Sequence, residues 1–199
     1  MKCHYCRRDA VFMCSLCGKF LCEEHAQLRT ACPECIKKTK LKYTIDRATF
    51  EEKKNEIGGF VRGFWGEEEQ LTFDRKFKVT ELPAYVARFK DSPVGFISTA
   101  ELDDAIIIVA LGVLPQYQSS GVGKRLVKKV EDEAIRRKKK RLLVSTSNDD
   151  LPALAFYQSV GFQIYGVKPN VIAEKHGKIL MGIGNLPIRD ELRLQKILG

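Results

Sequence analysis

Cysteine is missing from most of this 199-residue chain, since none follows Cys35. The larger, C-terminal part therefore contains no disulfide and no thiol nucleophile. The sequence also lacks a long apolar run: the longest, 105–114, is about half of the ~20 residues that a membrane-spanning helix needs. Internal repeats and extended low-complexity segments are absent as well. We therefore expect a cytoplasmic chain with one ordinary globular domain, a small appendage and no membrane partner.

The cysteines that are present form a metal-binding pattern. All seven lie in the first 35 residues and combine with one histidine into four pairs, each with two intervening residues. Four pairs supply eight ligands, which suffices for two tetrahedral zinc ions. Joining alternate pairs leaves spacers of 15 and 14 residues, near the roughly 12–20 typical of zinc modules, whereas joining neighbours leaves only 7 and 6. The predicted cross-brace has one site formed by Cys3, Cys6, Cys22 and His25, and a second formed by Cys14, Cys17, Cys32 and Cys35.

A disulfide framework is the alternative for this cluster. An odd number of cysteines pairs badly, and we expect no secretory signal peptide before the module. Structural zinc is therefore favoured, and four protein ligands at each site leave no open position for catalysis. The module resembles a B-box-type zinc finger, although its last pair is Cys-Cys where histidines are usual. Four apolar side chains could form a small internal core, or could dock the module on the second domain or on a protein partner: Phe12, Leu16, Phe20 and Leu21.

A glycine turn follows the most apolar segment of the chain. Residues 118–123 read Gln-Ser-Ser-Gly-Val-Gly and lie between an apolar run, 105–113, and a charged, helix-periodic stretch, 124–138. A strand is therefore predicted to feed a turn that opens a helix. The first turn of a helix has backbone N–H groups without intrahelical partners, and glycine lets an anion approach the backbone closely. The pattern alone predicts either a phosphate-binding cradle or a plain connection.

The segments after this turn favour the cradle. A β-branched strand, 141–146, is followed by an asparagine, a short helix that ends in Phe-Tyr, and a Gly-Phe pair. In this order, the turn and these segments resemble the GNAT superfamily of acyl-CoA-dependent N-acetyltransferases, over about residues 86–183. The resemblance implies a mixed α/β fold, with helices flanking a central sheet, that takes acetyl-CoA as its substrate.

The resemblance also implies roles for single residues. Tyr157 takes the position of the general acid, and the backbone N–H that stabilises the oxyanion falls within 111–114. Lys124 and Arg125, at the helix start, could meet the phosphates of CoA. The positions implied to contact the cofactor are Val113, Gln118, Ser119, Ser120, Gly121, Val122, Gly123, Lys124, Asn148 and Phe156.

The implied reaction is attack of an amine on an acetyl thioester. It should proceed in a ternary complex, since an acetyl-cysteine intermediate needs a free thiol and no cysteine follows residue 35. The general base is missing from its usual place: many relatives carry a glutamate on the strand that reads 106–111 here, and these residues include no ionisable side chain. Glu101, Asp103, Asp149 or a water chain could substitute. The acceptor stays open among a protein N-terminus, a lysine, a polyamine and a small metabolite.

Two further readings concern function and partners. A non-catalytic zinc-binding adaptor that keeps acyl-CoA as a structural or sensing ligand is the alternative to an enzyme. The formal charge is +9, and six bases run unbroken from Arg136 to Arg141. They could form a nucleic-acid-binding stripe. A solvated face, or cations that complement the negative end of a helix dipole, is favoured over that stripe.

The chain divides, in this interpretation, into a two-zinc module (1–37), a basic linker (38–43) and a GNAT-like domain (44–199). A helix is predicted over 46–57, with Gly58-Gly59 as its stop, and a short helix or turn over 64–69. The predicted strands are 85–90, 94–100, 105–113, 141–146, 163–167 and 178–183.

Overall fold

The computed structural model describes residues 1–13, 19–22 and 43–199. At the N-terminal end, two short strands pair antiparallel, β1 (Phe12–Met13) and β2 (Phe20–Leu21). An isolated bridge joins Lys2 to Asp9 beside them. Most of the predicted linker and several predicted metal ligands lie outside the described residues, namely Cys14, Cys17, His25, Cys32 and Cys35.

The apolar side chains of this end divide between surface and interior. Phe12 and Phe20 are exposed, whereas Leu21 is fully buried. The burial of Leu21 is consistent with the predicted internal core, and the exposure of the two phenylalanines leaves them accessible. Leu16 lies outside the described residues.

The remaining strands and helices have the following bounds. The strands are β3 (Thr44–Arg47), β4 (Glu69–Thr72), β5 (Arg75–Lys78), β6 (Ala84–Phe89), β7 (Ser92–Glu101), β8 (Ala105–Val113), β9 (Arg141–Ser147), β10 (Gln163–Lys168), β11 (Leu180–Met181), β12 (Pro187–Ile188) and β13 (Glu191–Ile197). The helices are α1 (Phe50–Glu52), which continues through a π-helical stretch (Lys53–Ile57) into α2 (Gly58–Trp65), then α3 (Val122–Arg136), α4 (Leu151–Ser159) and α5 (Val171–His176).

Seven strands form one mixed sheet, in the order β10-β13-β9-β8-β7-β6-β3. Neighbours are antiparallel except for β8 and β9, which run parallel and are connected through α3. Helices α3 and α4 cover one face, where Leu126 and Tyr157 pack with Ile106 in one core cluster. Helix α2 covers the other face, where Val61 packs with Phe96. The mixed α/β class with flanking helices is therefore confirmed.

The apolar run that was the strongest strand signal is central to this sheet. Along β8, Ile106 and Ile108 belong to the cluster under α3, whereas Ile107 belongs to a separate cluster on the opposite side. Both faces of the strand are therefore covered. A strand buried on both faces has no polar alternation in its sequence, which explains the continuous run of isoleucine and valine.

The predicted helix near residue 46 differs from the structure at both ends. Residues 44–47 form β3, and the helix begins after Thr49, whose side chain forms a capping box with Glu52. The stop at Gly58-Gly59 is wrong, because Gly58 has helical dihedral angles and the helix continues to a left-handed Gly66. Burial of Val61 against the sheet outweighs the weak helix propensity of the two glycines.

The C-terminal region holds elements that local patterns did not reveal. The strand predicted over 178–183 is wrong except for the two residues of β11. The long final strand is instead β13, which is inserted between β9 and β10. Four of its seven residues are charged or polar side chains that are stabilised by distant partners. Helix α5 and the β4–β5 hairpin were likewise unpredicted.

Three of the six bases in the run at the end of α3 form internal ion pairs. Arg137 bonds to Glu101 and Glu133, Lys139 bonds to Glu101, and Arg141 pairs with Asp104. These contacts fasten the end of α3 to the turn between β7 and β8. They favour a structural use of the run over a nucleic-acid-binding stripe. None of the helices in the described ranges is both long and apolar enough to cross a membrane.

Candidate active site

The site begins where two parallel strands separate. β8 and β9 are paired only as far as Ile108 and Val144, although β8 continues to Val113 and β9 to Ser147. Two cavities occupy the region beyond this last pair. The first, of about 1420 Å³, is lined by the end of β8, the glycine turn and α4. The second, of about 440 Å³, is lined by the ends of β8 and β9, by β4 and by elements farther along the chain.

The glycine turn has the geometry that a phosphate cradle needs. Gly121 is the N-cap of α3 and is left-handed, with φ of 91°, a conformation that side chains disfavour. The turn therefore presents its backbone to the first cavity without a side chain at this position. Gly123 sits below the ring of Phe156, since a Cβ there would lie 3.2 Å from the ring atoms. An anion at this place meets the free N–H groups of the first turn of α3.

Two side chains hold the turn in place from either side. The amide of Gln118 donates a hydrogen bond to the carbonyl oxygen of Val113 (3.1 Å), which ties the turn to the end of β8. The hydroxyl of Tyr43 donates to the carbonyl oxygen of Ser120 (2.7 Å). The ring of Tyr43 also lies 4.9 Å from the guanidinium of Arg125. Tyr43 was not predicted, because no local motif links it to a turn 77 residues away.

Most residues predicted to contact the cofactor lie around the first cavity. Its lining includes Val113, Gln118, Ser119, Ser120, Gly121, Gly123, Lys124 and Phe156, together with Arg125. Val122 differs, because its side chain is buried in the core below α3. Only its backbone can face a ligand at the turn.

Asn148 does not line the first cavity. Its side-chain oxygen accepts hydrogen bonds from the backbone N–H groups of Arg189 and Asp190 (2.8 and 2.9 Å). Its nitrogen donates to the carbonyl oxygen of Pro187 (2.7 Å). These bonds give Asn148 a structural role, holding the segment that leads into β13. The cofactor contact predicted for it stays a prediction.

Tyr157 lies at the junction of the two cavities and lines both. It is on α4, is buried, and packs edge-on against Phe156 and Phe162, with ring centroids 5.3 and 5.6 Å away. Burial raises the pKa of Tyr157 above its usual value, and the charge of Asp150 raises it further. Both effects disfavour the phenolate. The hydroxyl is therefore a proton donor at neutral pH.

The residues predicted to replace the missing general base lie away from the two cavities. Glu101 pairs with Lys139 and Arg137, and Asp103 is exposed in the turn before β8. Asp149 is buried and accepts a hydrogen bond from the N–H of Ile183. None of the three lines either cavity.

Asp150 is the carboxylate that the sequence did not single out. It caps α4 by accepting a hydrogen bond from the N–H of Ala153 (3.0 Å), and its side chain lines both cavities beside Tyr157. Burial raises the pKa of Asp150, an effect only partly offset by the Ala153 N–H, and the nearby Asp149 raises it further. A helix cap is a common structural use of aspartate, so its sequence position carried no sign of a second role.

Three of the predicted zinc ligands come together at the other end of the molecule. The sulfur atoms of Cys3, Cys6 and Cys22 all lie within 4.8 Å of one another, and those of Cys6 and Cys22 are 3.7 Å apart. Tetrahedral zinc with bonds of ~2.3 Å places its sulfur ligands ~3.8 Å apart. The spacing fits one shared ion, and it joins the first ligand pair to the third.

Comparisons with known proteins agree with the architecture of this site. The family model described as the acetyltransferase (GNAT) family matches residues 43–162. The uncharacterized protein YxbD of Bacillus subtilis is 30% identical over 149 residues, which is 72% of this chain and 92% of that protein.

Two solved structures share the fold. The IAA acetyltransferase from Bacillus cereus has a TM-score of 0.67 and 21% identity, covering 79% of this chain and 100% of its own. A GNAT family acetyltransferase from Elizabethkingia anophelis, with acetyl-CoA bound, has a TM-score of 0.61 and 20% identity, covering 80% of this chain and 100% of its own.

Proposed function

Because this chain belongs to the GNAT family of acetyltransferases, we propose that it is an N-acetyltransferase that transfers the acetyl group of acetyl-CoA directly to an amine. The observation that supports this most is the left-handed Gly121 at the start of α3, which opens onto a cavity that Tyr157 also lines. The pyrophosphate of acetyl-CoA would bind the free N–H groups of the turn. Its thioester would then reach the separated end of β8.

Acetyl transfer needs a hydrogen-bond donor for the oxyanion, an acid for the departing sulfur and a base for the amine. The first cavity offers groups for the donor and the acid. The thioester oxygen needs a hydrogen-bond donor as it becomes an oxyanion, for which a backbone N–H of 111–113 at the cavity wall is the candidate, since that of Leu114 already donates to the carbonyl oxygen of Val94. The departing sulfur needs a proton, which the buried hydroxyl of Tyr157 supplies. Transfer is concerted with departure of the thiolate, because the pKa of Tyr157 is well above that of a thiol. Neither cavity is lined by a cysteine of the described residues, which favours direct transfer.

We also propose that the N-terminal region is a structural zinc module with the cross-brace pairing. Cys3, Cys6 and Cys22 would hold one ion together with His25, and the second set would hold another. A small module of this kind has little core of its own, so metal binding would supply most of its folding free energy. Its exposed Phe12 and Phe20 are available to a protein partner or to the catalytic domain.

Calorimetric titration with acetyl-CoA tests the cradle. The wild-type chain is expected to bind one acetyl-CoA, and Gly121→Glu is expected to abolish binding, because a carboxylate would occupy the place of the pyrophosphate. Gly161→Glu is the matched control: Gly161 has a similar φ of 94° but its Cβ would meet the aliphatic part of Lys196. That control should bind acetyl-CoA like the wild type. Unchanged affinity in Gly121→Glu would rule out the cradle.

A further inference from the structure

The second cavity has the location of an acceptor site but a composition of its own. It meets the first cavity at six shared residues, which include Tyr157 and Asp150. Its floor is formed by the separated ends of β8 and β9. Its walls are formed by the β4–β5 hairpin, by α5 and by β11 and β12. A volume of about 440 Å³ lies within the range of roughly 300–1,000 Å³ that is common for small-molecule sites.

Two of the three carboxylates in the walls are already neutralised. Glu67 forms an ion pair with Lys175, which bridges the chain before β4 to α5. Glu191 is buried and accepts hydrogen bonds from Arg193, from the hydroxyl of Thr72 and from the N–H of Phe73. Neither carboxylate is available to a second cation.

The third carboxylate has no cationic partner within the described residues. Asp150 accepts one backbone hydrogen bond through Oδ1 and takes part in none of the ion pairs of that part of the chain. It lies at the junction of the cavities, where the attacking nitrogen must be placed. The other basic wall residue, His176, lines the second cavity but not the first. The second cavity therefore presents one uncompensated negative charge, which lies at its junction with the first cavity.

The rest of the wall is more apolar than polar, and its polar side chains include those of Gln70, Thr146 and Ser147. Aliphatic side chains from six different elements line it, namely Leu71, Val109, Val144, Ile172, Leu180 and Ile188. A peptide chain in this place would need a partner for one backbone donor and one acceptor in nearly every residue, and the polar side chains of the wall, such as Gln70, Thr146 and Ser147, are few for that. A polyamine would need a second free carboxylate to meet its distal ammonium group. A molecule with an apolar body and a single amino group needs neither backbone partners nor a second carboxylate.

We infer that the acceptor is a small primary amine with one cationic group and an apolar body, and that Asp150 binds its ammonium group. This inference rests on the proposed acetyl transfer and names the substrate class for it. Asp150 accepts one proton from the ammonium group and releases it to solvent. The free amine then attacks the thioester carbon, forming the C–N bond. As the C–S bond breaks, Tyr157 gives its proton to the sulfur and recovers one from the acylated nitrogen, so that the products are the amide and the CoA thiol.

Release of CoA from acetyl-CoA, with mass spectrometry of the amide, tests this class with 2-phenylethylamine as the probe. Its kcat/KM is expected to exceed those of spermidine and of a short peptide with a free N-terminus by at least about tenfold, because the cavity leaves their additional polar groups unpaired. Asp150→Asn keeps the helix cap, which asparagine forms as well as aspartate. It should lower kcat/KM for 2-phenylethylamine by about 10² or more. The affinity for acetyl-CoA, measured by calorimetry, should change less than about threefold, since a bulk effect on the fold would weaken it too.

A second variant tests the cavity without touching the charge. Ile172→Trp, on the partly exposed α5, adds a ring to the wall and should raise KM for 2-phenylethylamine about tenfold with little change in acetyl-CoA affinity. Preference for spermidine or the peptide, or normal kinetics in Asp150→Asn, would overturn the inference. If the wild-type chain binds acetyl-CoA and acetylates another class of amine, only this inference fails. If it binds no acetyl-CoA, the proposed function itself fails.

Discussion

At the scale of single residues, the proposed mechanism divides the proton transfers between Tyr157 and Asp150. Burial raises the pKa of both, and the charge of Asp150 raises the pKa of Tyr157 further. A raised pKa has a different consequence for each side chain. The tyrosine stays a proton donor at neutral pH, whereas the ionised aspartate becomes a better proton acceptor. Both residues line both cavities, which suits the complementary roles proposed for them.

Tyr43 is the residue that connects the end of the linker to the cofactor turn. Tyr43→Phe keeps the ring against Arg125 but removes the hydrogen bond to the carbonyl oxygen of Ser120. We predict that the Kd for acetyl-CoA rises about two- to tenfold, which corresponds to a hydrogen bond worth roughly 0.5–1.5 kcal/mol. Calorimetric titration with acetyl-CoA measures this Kd.

The control for this prediction is Tyr165→Phe, which removes a hydroxyl from an exposed position on β10, outside both cavities. Its acetyl-CoA affinity should equal that of the wild type. Equal affinities in Tyr43→Phe and in the control would show that the turn keeps its shape without the Tyr43 hydroxyl.

At the scale of elements, the strand, turn and helix of the cofactor site were predictable because their signals are local. The apolar run of β8, the glycines at 121 and 123 and the amphipathic α3 lie next to one another in the sequence. β13 gave no such signal, because its charged side chains are stabilised by distant residues: Arg193 by Asp74 and Lys196 by Glu131. Strands of this kind are defined by tertiary contacts rather than by their own pattern.

The same distinction applies to the candidate site. The first cavity is formed largely by consecutive segments, so most of its lining was predicted, whereas Tyr43 reaches it from the linker. The second cavity combines the β4–β5 hairpin, β9 and α5, which are far apart in the chain. No motif spans these elements. The predicted substitutes for the general base, Glu101, Asp103 and Asp149, therefore do not include Asp150, whose local pattern is that of a cap of α4.

At the scale of the whole molecule, we propose that a metal-dependent module precedes a domain that folds on its own core. Among the described residues, the clusters that form the sheet core include none before Tyr43. We therefore predict two zinc ions per purified chain, and one in Cys22→Ser, because the cross-brace gives each ion its own ligands. Elemental analysis measures this. Acetyl-CoA affinity should persist in the variant, since Cys22 lies outside the cofactor cavity.

The Gly121→Glu variant is a suitable control for metal content, because it alters the cofactor turn alone and should retain both ions. A chain with no zinc and with disulfides among the first 35 residues would contradict the metal assignment. It would leave the acetyl-CoA site unaffected, since the two assignments rest on different residues.

The most direct test of the central claim is acetyl transfer from isotopically labelled acetyl-CoA to the amines of a cell extract, followed by mass spectrometry. The wild-type chain should form a labelled amide. Tyr157→Phe keeps the buried ring and should bind acetyl-CoA normally, yet form that amide roughly 10² to 10⁴ times more slowly, the usual contribution of a general acid. No labelled amide from the wild-type chain, or a rate in Tyr157→Phe within about threefold of the wild-type rate, would contradict the account.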